Sequence, residues 1–395
     1  MMRIVSYAVA ARRGFVRAFA VAAGLLVAGG ALAADPIKIG LVAALSGPSA
    51  QSGEAITQGL TIAIDEINAA GGLLGRKVEL VRRDDESSPP KGATAARELI
   101  YNEKVAAVFG GLDTPVSLAI VPIVNKEHVP YMGVWAAGTP ITRNGANPNF
   151  AFRVSAVDVL VDEALLKYAQ KKYGAKKPGL ILINNPWGES NEKGLREVSQ
   201  KLGISLAGIE KFENAEVDVV PQLTRLKNAG ADALILVANA APGAQVMKSR
   251  ERMGWKVPVV SHWGVSGGRF TELAGPSAGD VVFVQTYSFF DNENPANKKV
   301  LDELNRKYQV KGPEAVFSPV GVADAYDAMH LLALAIKKAG TTKGDAVREA
   351  LHGIDEYKGL IKTYHKPFSA QNQDALGPDD YIFVHYQGER IVPVK

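Results

Sequence analysis

Three tryptophans, Trp135, Trp187 and Trp263, fall where apolar runs end rather than inside them. Indoles in such places can stack on a flat apolar body, each pair adding about 0.5–1.5 kcal/mol beyond area burial. Scattered core packing is the competing account of the same residues. The fourth, Trp255, precedes its run and reads as ordinary packing. Polar candidates stand around the three: Asp113, Thr114, Asn239 and His262, with Ser46 in the first loop. Thr114 before Pro115 also reads as a helix N-cap, a role compatible with an anion held at the helix start. Gly264-Val265-Ser266-Gly267-Gly268 fits the G-x-S-x-G nucleophile elbow and follows an apolar run, so a serine esterase using Ser266 stays as a distant alternative. Its acid and His would have to be Asp324 with His330, or Asp355 with His365, and no His-Gly-Gly oxyanion segment is present. There is no Cys, and the six His show no His-Glu-x-x-His spacing. No Walker loop or dinucleotide fingerprint follows a strand-like run, so neither metal nor cofactor is expected.

The elements that must position these residues come in two matching series. Apolar, strand-like runs open near Ile37, Val78, Val105, Val129 and Phe150, and again near Gly179, Leu206, Ala231, Val257 and Val281. The runs between them carry helical periodicity, as over 53–70, where Ile56, Leu60, Ala63, Ile64 and Ile67 share one face. Val129-Pro130 leads to Trp135 as Val257-Pro258 leads to Trp263. The spacing predicts an α/β chain of two similar Rossmann-like lobes, each a mostly parallel sheet flanked by helices, with ligand just beyond the strand ends. A long helix near 322–338 and a strand near 381–386 break the rhythm. Hinge crossovers are therefore placed near Arg153, Val281 and Gly359. They give one lobe of 34–153 plus 282–361 and another of 154–281 plus 362–395.

At 395 residues, two domains are the natural expectation. Residues 1–33 read as a signal peptide, with a basic stretch to Arg17, a short apolar run, and a small-x-small site at Ala31-Leu32-Ala33. Arg12-Arg13 leaves both the general and the twin-arginine export routes open. Arg3, Arg12, Arg13 and Arg17 account for the whole excess of 45 basic over 41 acidic residues. The remaining chain is near neutral, with no basic footprint for nucleic acid. A soluble monomer exported to the periplasm is expected.

Longer stretches resemble one family. Ile37-Lys38-Ile39-Gly40, the loop from Leu45 to Gln51, Asp65-Glu66-Ile67-Asn68-Ala69-Ala70-Gly71-Gly72, Phe109-Gly110-Gly111 and Gly230-Ala231-Asp232-Ala233 are similar to the branched-chain amino-acid-binding periplasmic solute receptors. The resemblance implies a type I periplasmic binding fold and delivery of a small carboxylate or amino acid to the membrane permease of an ABC importer; a sensor feeding a membrane kinase would look the same. It also implies a ligand carboxylate held at Thr114 and at backbone near Ala136 and Ala137. Ala137 stands where a second hydroxyl is expected, Trp187 in place of a tyrosine, and Trp263 where an acid would hold the α-ammonium. These departures favour an aromatic or hydrophobic carboxylic acid. Branched-chain or aromatic amino acids are the alternative.

Overall fold

The computed structural model describes residues 35–290 and 292–394; the expected signal peptide and cleavage site lie outside them. The first lobe opens with β1 (Ile37–Ala43), α1 (Ala50–Ala69), β2 (Val78–Asp84), α2 (Pro89–Arg97), β3 (Val108–Gly110), α3 (Thr114–Glu127), β4 (Tyr131–Gly133) and β5 (Ala151–Arg153). Its sheet is parallel throughout, in the order β2-β1-β3-β4-β5. β1 is buried along nearly its whole length, as a strand covered by helices on both faces must be, hence its unbroken apolar run from Ile39 onward.

The second lobe repeats the plan with α4 (Asp158–Tyr173), β6 (Gly179–Ile183), α5 (Pro186–Leu202), β7 (Gly208–Phe212), α6 (Val220–Asn228), β8 (Leu234–Val237), α7 (Ala240–Arg252), β9 (Val259–Ser261), α8 (Phe270–Ala274) and β10 (Val281–Gln285). Read from β7, its order is β7-β6-β8-β9-β10, the same second-first-third-fourth-fifth pattern as the first lobe. The two series in the sequence are thus one topology built twice.

The chain then returns to the first lobe with α9 (Pro295–Tyr308), α10 (Pro319–Ala339), α11 (Gly344–His352) and the hairpin of β11 (Glu356–Lys358) and β12 (Thr363–His365). α10 is long and apolar enough to cross a membrane, yet 89% of that stretch is buried in the protein, packed against α1. β13 (Ile382–Gln387) and β14 (Arg390–Pro393) end the chain as antiparallel additions beside β10.

Two expected crossovers move. β10 pairs in parallel with β9, so the chain leaves the second sheet after Gln285 rather than at Val281. An apolar run fits the edge of either sheet equally well, and only its partner decides. The return lies beyond Gly359. Tyr364 donates to Asp327 of α10, Phe368 packs edge-on against Phe152, and Asp374 accepts from Arg153 and Thr142. The chain therefore stays on the first lobe through Asp374, and 362–374 does not belong to the second. The cap of α3 also shifts by one: Asp113 is the N-cap and Thr114 opens the helix.

Candidate functional site between the lobes

Five parallel strands deliver the cavity. Leu112, Asp113, Thr114 and Pro115 follow β3; Trp135 and Ala137 follow β4; Asn185 and Trp187 follow β6; Asn239 follows β8 and Trp263 follows β9. These ten residues enclose a space of about 10 Å³, room for one water. Among the described residues, no Lys or Arg lines it.

Its apolar side is built on a repeat. Trp135 lies two residues past the end of β4 and Trp263 two past the end of β9. Each indole's backbone carbonyl accepts a serine hydroxyl, Ser155 Oγ at 2.7 Å and Ser266 Oγ at 2.6 Å. The two rings meet across the cleft with centroids 6.0 Å apart, tilted by 49°. A flat ring held between parallel indoles needs about 7 Å, two stacking contacts of roughly 3.5 Å each. A solute would therefore enter by turning these rings, since they fill the space themselves.

The polar side is made of helix starts. Asp113, Asn185 and Asn239 are the N-caps of α3, α5 and α7. Asn185 caps in the usual way, accepting the amides of Trp187 and Gly188. Asp113 and Asn239 do not cap their own helices. Asn239 Nδ2 instead donates across the cleft to Asp113 Oδ1 at 2.9 Å. The first-turn amides of α3 and α7 thus lack a side-chain acceptor, which an anion at the helix starts would supply. Thr114 Oγ1 accepts the Gly138 amide at 3.1 Å, leaving its O–H for a carboxylate. A Cβ at Gly138 would lie 2.3 Å from Thr114 Cγ2, so only glycine allows this approach.

Burial raises the Asp113 carboxyl above its ordinary range, while Ser87 and Asn239 draw it back. Its Oδ2 is buried without a hydrogen-bond partner. Behind it, burial pushes Asp85 up to about 7, opposed by the Ser87 amide and reinforced by the nearby charges of Asp113 and Asp84. Burial thus raises two first-lobe acids, Asp113 and Asp85, next to the cavity.

Residues 36–386 match the model of a single family, described as "Periplasmic binding protein". The chain belongs to the periplasmic binding protein family. A leucine-, isoleucine-, valine-, threonine- and alanine-binding protein of Pseudomonas aeruginosa is 26% identical over 378 residues, covering 92% of this chain and 98% of that one. A periplasmic binding protein type 1 of Bordetella pertussis superposes with a TM-score of 0.83 at 24% identity, covering 91% of this chain and all of the other. A solute-binding protein of an ABC transporter from Rhodopseudomonas palustris, in complex with 3,4-dihydroxybenzoic acid, gives a TM-score of 0.75 at 23% identity, over 91% of this chain and 96% of that one. The fold is that of a type I periplasmic binding protein.

In this periplasmic binding protein, seven of the ten candidates meet at one cavity: Asp113, Thr114, Trp135, Ala137, Trp187, Asn239 and Trp263. Three do not line it. Ala136 packs into the other apolar cluster of the first lobe, with Val108, Tyr131 and Ile141, while Trp135 and Ala137 belong to the larger core, and its amide is spent on the Gly111 carbonyl. Ser46 is exposed and turns to Asp84, whose carboxylate it helps hold low against the opposing effect of burial. His262 is fully buried behind Trp187 and Trp263, bonded to Asp158 and to the Trp263 amide.

The G-x-S-x-G pattern has a steric cause. A Cβ on Gly267 would lie 2.2 Å from Ser52 Oγ, and one on Gly268 2.7 Å from the Pro48 carbonyl, both in the first lobe. These glycines let the lobes touch. Ser266 is buried and spends its hydroxyl on the Trp263 carbonyl, so it offers no nucleophile. Sequence reasoning missed Asn185, Leu112 and Pro115 as lining residues. The Asn185-Pro186 pair after a strand-like run was the available signal for the first.

Proposed function

We propose that this protein is the solute-binding component of an ABC importer, closing its two lobes around a small carboxylic acid with an apolar, aromatic body. The observation that carries the reading is the composition of one cavity: three indoles from both lobes on one side, and uncapped helix starts on the other. Thr114 and the amides at the start of α3 take the carboxylate, with Ala137 and Asn239 beside them. Trp135, Trp187 and Trp263 take the ring. The complex of the Rhodopseudomonas palustris neighbour with a dihydroxybenzoic acid supports the ligand class. Contacts to both lobes shift the population toward the shut form, which the permease then meets. The protein acts as a monomer in the periplasm, its mature chain beginning at Ala34 or Asp35. Intact mass of the exported protein checks that start.

One observation favours a second reading. The buried, unpartnered Oδ2 of Asp113 is an acceptor for an α-ammonium, and the Pseudomonas aeruginosa relative is named for leucine and other amino acids. Calorimetry of the purified protein with 4-hydroxybenzoate, benzoate and leucine decides between them. Tight leucine binding with no heat from any aromatic acid would overturn the first reading. Asp113→Asn separates them further, since it should abolish leucine binding and spare an aromatic acid.

A further inference from the structure

The indoles of the second lobe are not held by packing alone. Asp158 opens α4, just past the crossover from β5, and is fully buried. Its Oδ1 accepts the Trp187 indole N–H at 3.0 Å and faces His262 Nε2 at 3.1 Å. His262 Nδ1 accepts the Trp263 amide at 2.8 Å, so Nε2 is the nitrogen that carries hydrogen and donates to Asp158. The imidazole stands edge-on between the two indoles, with centroids 5.1 Å from Trp187 and 5.9 Å from Trp263. On the other side, the Asp158 amide donates to the Ala137 carbonyl at 2.8 Å. One carboxyl oxygen thus collects both second-lobe tryptophans, and the same residue holds the first-lobe backbone that lines the cavity. Asp158 itself does not line it.

An indole facing a cavity has only two side-chain torsions, and a buried N–H bonded to a fixed acceptor leaves it one useful orientation. We propose that Asp158 is a positioning residue for solute recognition, setting the angle of Trp187 directly and the place of Trp263 through His262, without touching the solute. The carboxyl of Asp162, one turn further along α4, is raised well above its ordinary range by burial and by the nearby charge of Asp158. The effect on solute affinity rests on the cleft being the solute site, whereas the effect on the indoles does not.

The test uses the full mature chain labelled with ¹⁵N. The indole resonance missing from Trp187→Phe identifies Trp187. In Asp158→Asn, without any solute, that resonance should move upfield and its hydrogen should exchange about tenfold faster, because the charged acceptor is gone. Calorimetry then uses whichever of 4-hydroxybenzoate and leucine binds the wild type. Asp158→Asn and Trp187→Phe should each weaken binding about tenfold, and the double variant by clearly less than the product of the two, because they share one hydrogen bond while Asp158 also holds Trp263 through His262. An unmoved Trp187 resonance in Asp158→Asn, or additive losses in the double variant, overturns the proposal. If neither probe binds the wild type, the solute-site reading fails while the spectra still decide the positioning role. Should Asp158→Asn not fold, His262→Asn keeps the acceptor for Trp263 but frees Asp158 of one donor. The Trp187 resonance should then move downfield, and no movement overturns the idea.

Discussion

The chain places a tryptophan two residues beyond the fourth strand of each lobe and ties each indole's carbonyl to a serine. From that shared geometry the two walls diverge. After Trp135 the chain runs to Ala137 and Gly138, where backbone meets the hydroxyl of Thr114. Before Trp263 stands His262, which links the Trp263 amide to the same buried acid that accepts the Trp187 indole N–H. The duplicated topology fixed where side chains would arrive, and local residues fixed what each wall does. In the proposed function the first, with the Thr114 hydroxyl and the start of α3, meets the carboxylate, and the second, with Trp187 and Trp263, meets the ring. A repeat in sequence is thus a repeat of positions rather than of chemistry.

If the walls divide the work in this way, substitutions in each should fail differently. Trp263→Ala has the largest expected effect, weakening an aromatic acid by about 2–3 kcal/mol through lost burial and stacking. Calorimetry with benzoate and cyclohexanecarboxylate should show the aromatic preference shrinking with it. Thr114→Val should cost about 1–3 kcal/mol for both acids alike, since it removes a hydrogen bond to the carboxylate. A change of preference in Thr114→Val would break the division.

The acids of the first wall supply a pH signature. Asp85 is held protonated up to about 7 by burial, against about 4 in an unfolded chain. Its raised value stabilises the fold at low pH, and that contribution is lost as pH rises from about 4 through 7. Asp85→Asn should therefore be more stable than wild type at pH 8, by about 1–2 kcal/mol after allowance for partial exposure. The gap should close as pH falls toward 4, as denaturant titrations at several pH values would show. A gap independent of pH would count against it. The smallest effect is expected at the bond between the walls. Asn239→Ala removes the donor to Asp113 and should cost about 1 kcal/mol of solute affinity. Small-angle scattering should then need more solute to reach the compact form.

The central strands were legible because a parallel strand covered on both faces must be an apolar run, as β1 from Ile39, β6, and β10 up to Val284 are. The crossovers were not, because strand membership depends on a partner far away in sequence. Val281–Gln285 reads the same whichever sheet receives it. In the cavity, residues placed directly at strand ends were legible, since topology alone brings Asp113, Trp135, Asn239 and Trp263 together. Their neighbours were not. His262 and Ala136 differ from Trp263 and Ala137 by one residue, and beyond the strand ends no simple period tells which neighbour turns to the cavity and which packs behind it. Ser46 sits in a loop whose side-chain direction is set by Asp84, not by any period. Asp158 gave no signal because an acid in the first turn of a helix is ordinarily a solvated one; only its burial beneath two indoles marks it out.

The seam at Gly267 and Gly268 makes shutting the molecule conditional on bare backbone. The Pro48 carbonyl comes within 2.7 Å of where a side chain on Gly268 would begin, and that residue already sits at a φ of 60°. A methyl group there would be a doorstop. Such a receptor would keep both walls and their chemistry but could not bring them together, so any solute would be held from one side alone. The difference between its affinity and that of the intact protein is the worth of the swing itself, a quantity that no change inside the cavity can isolate.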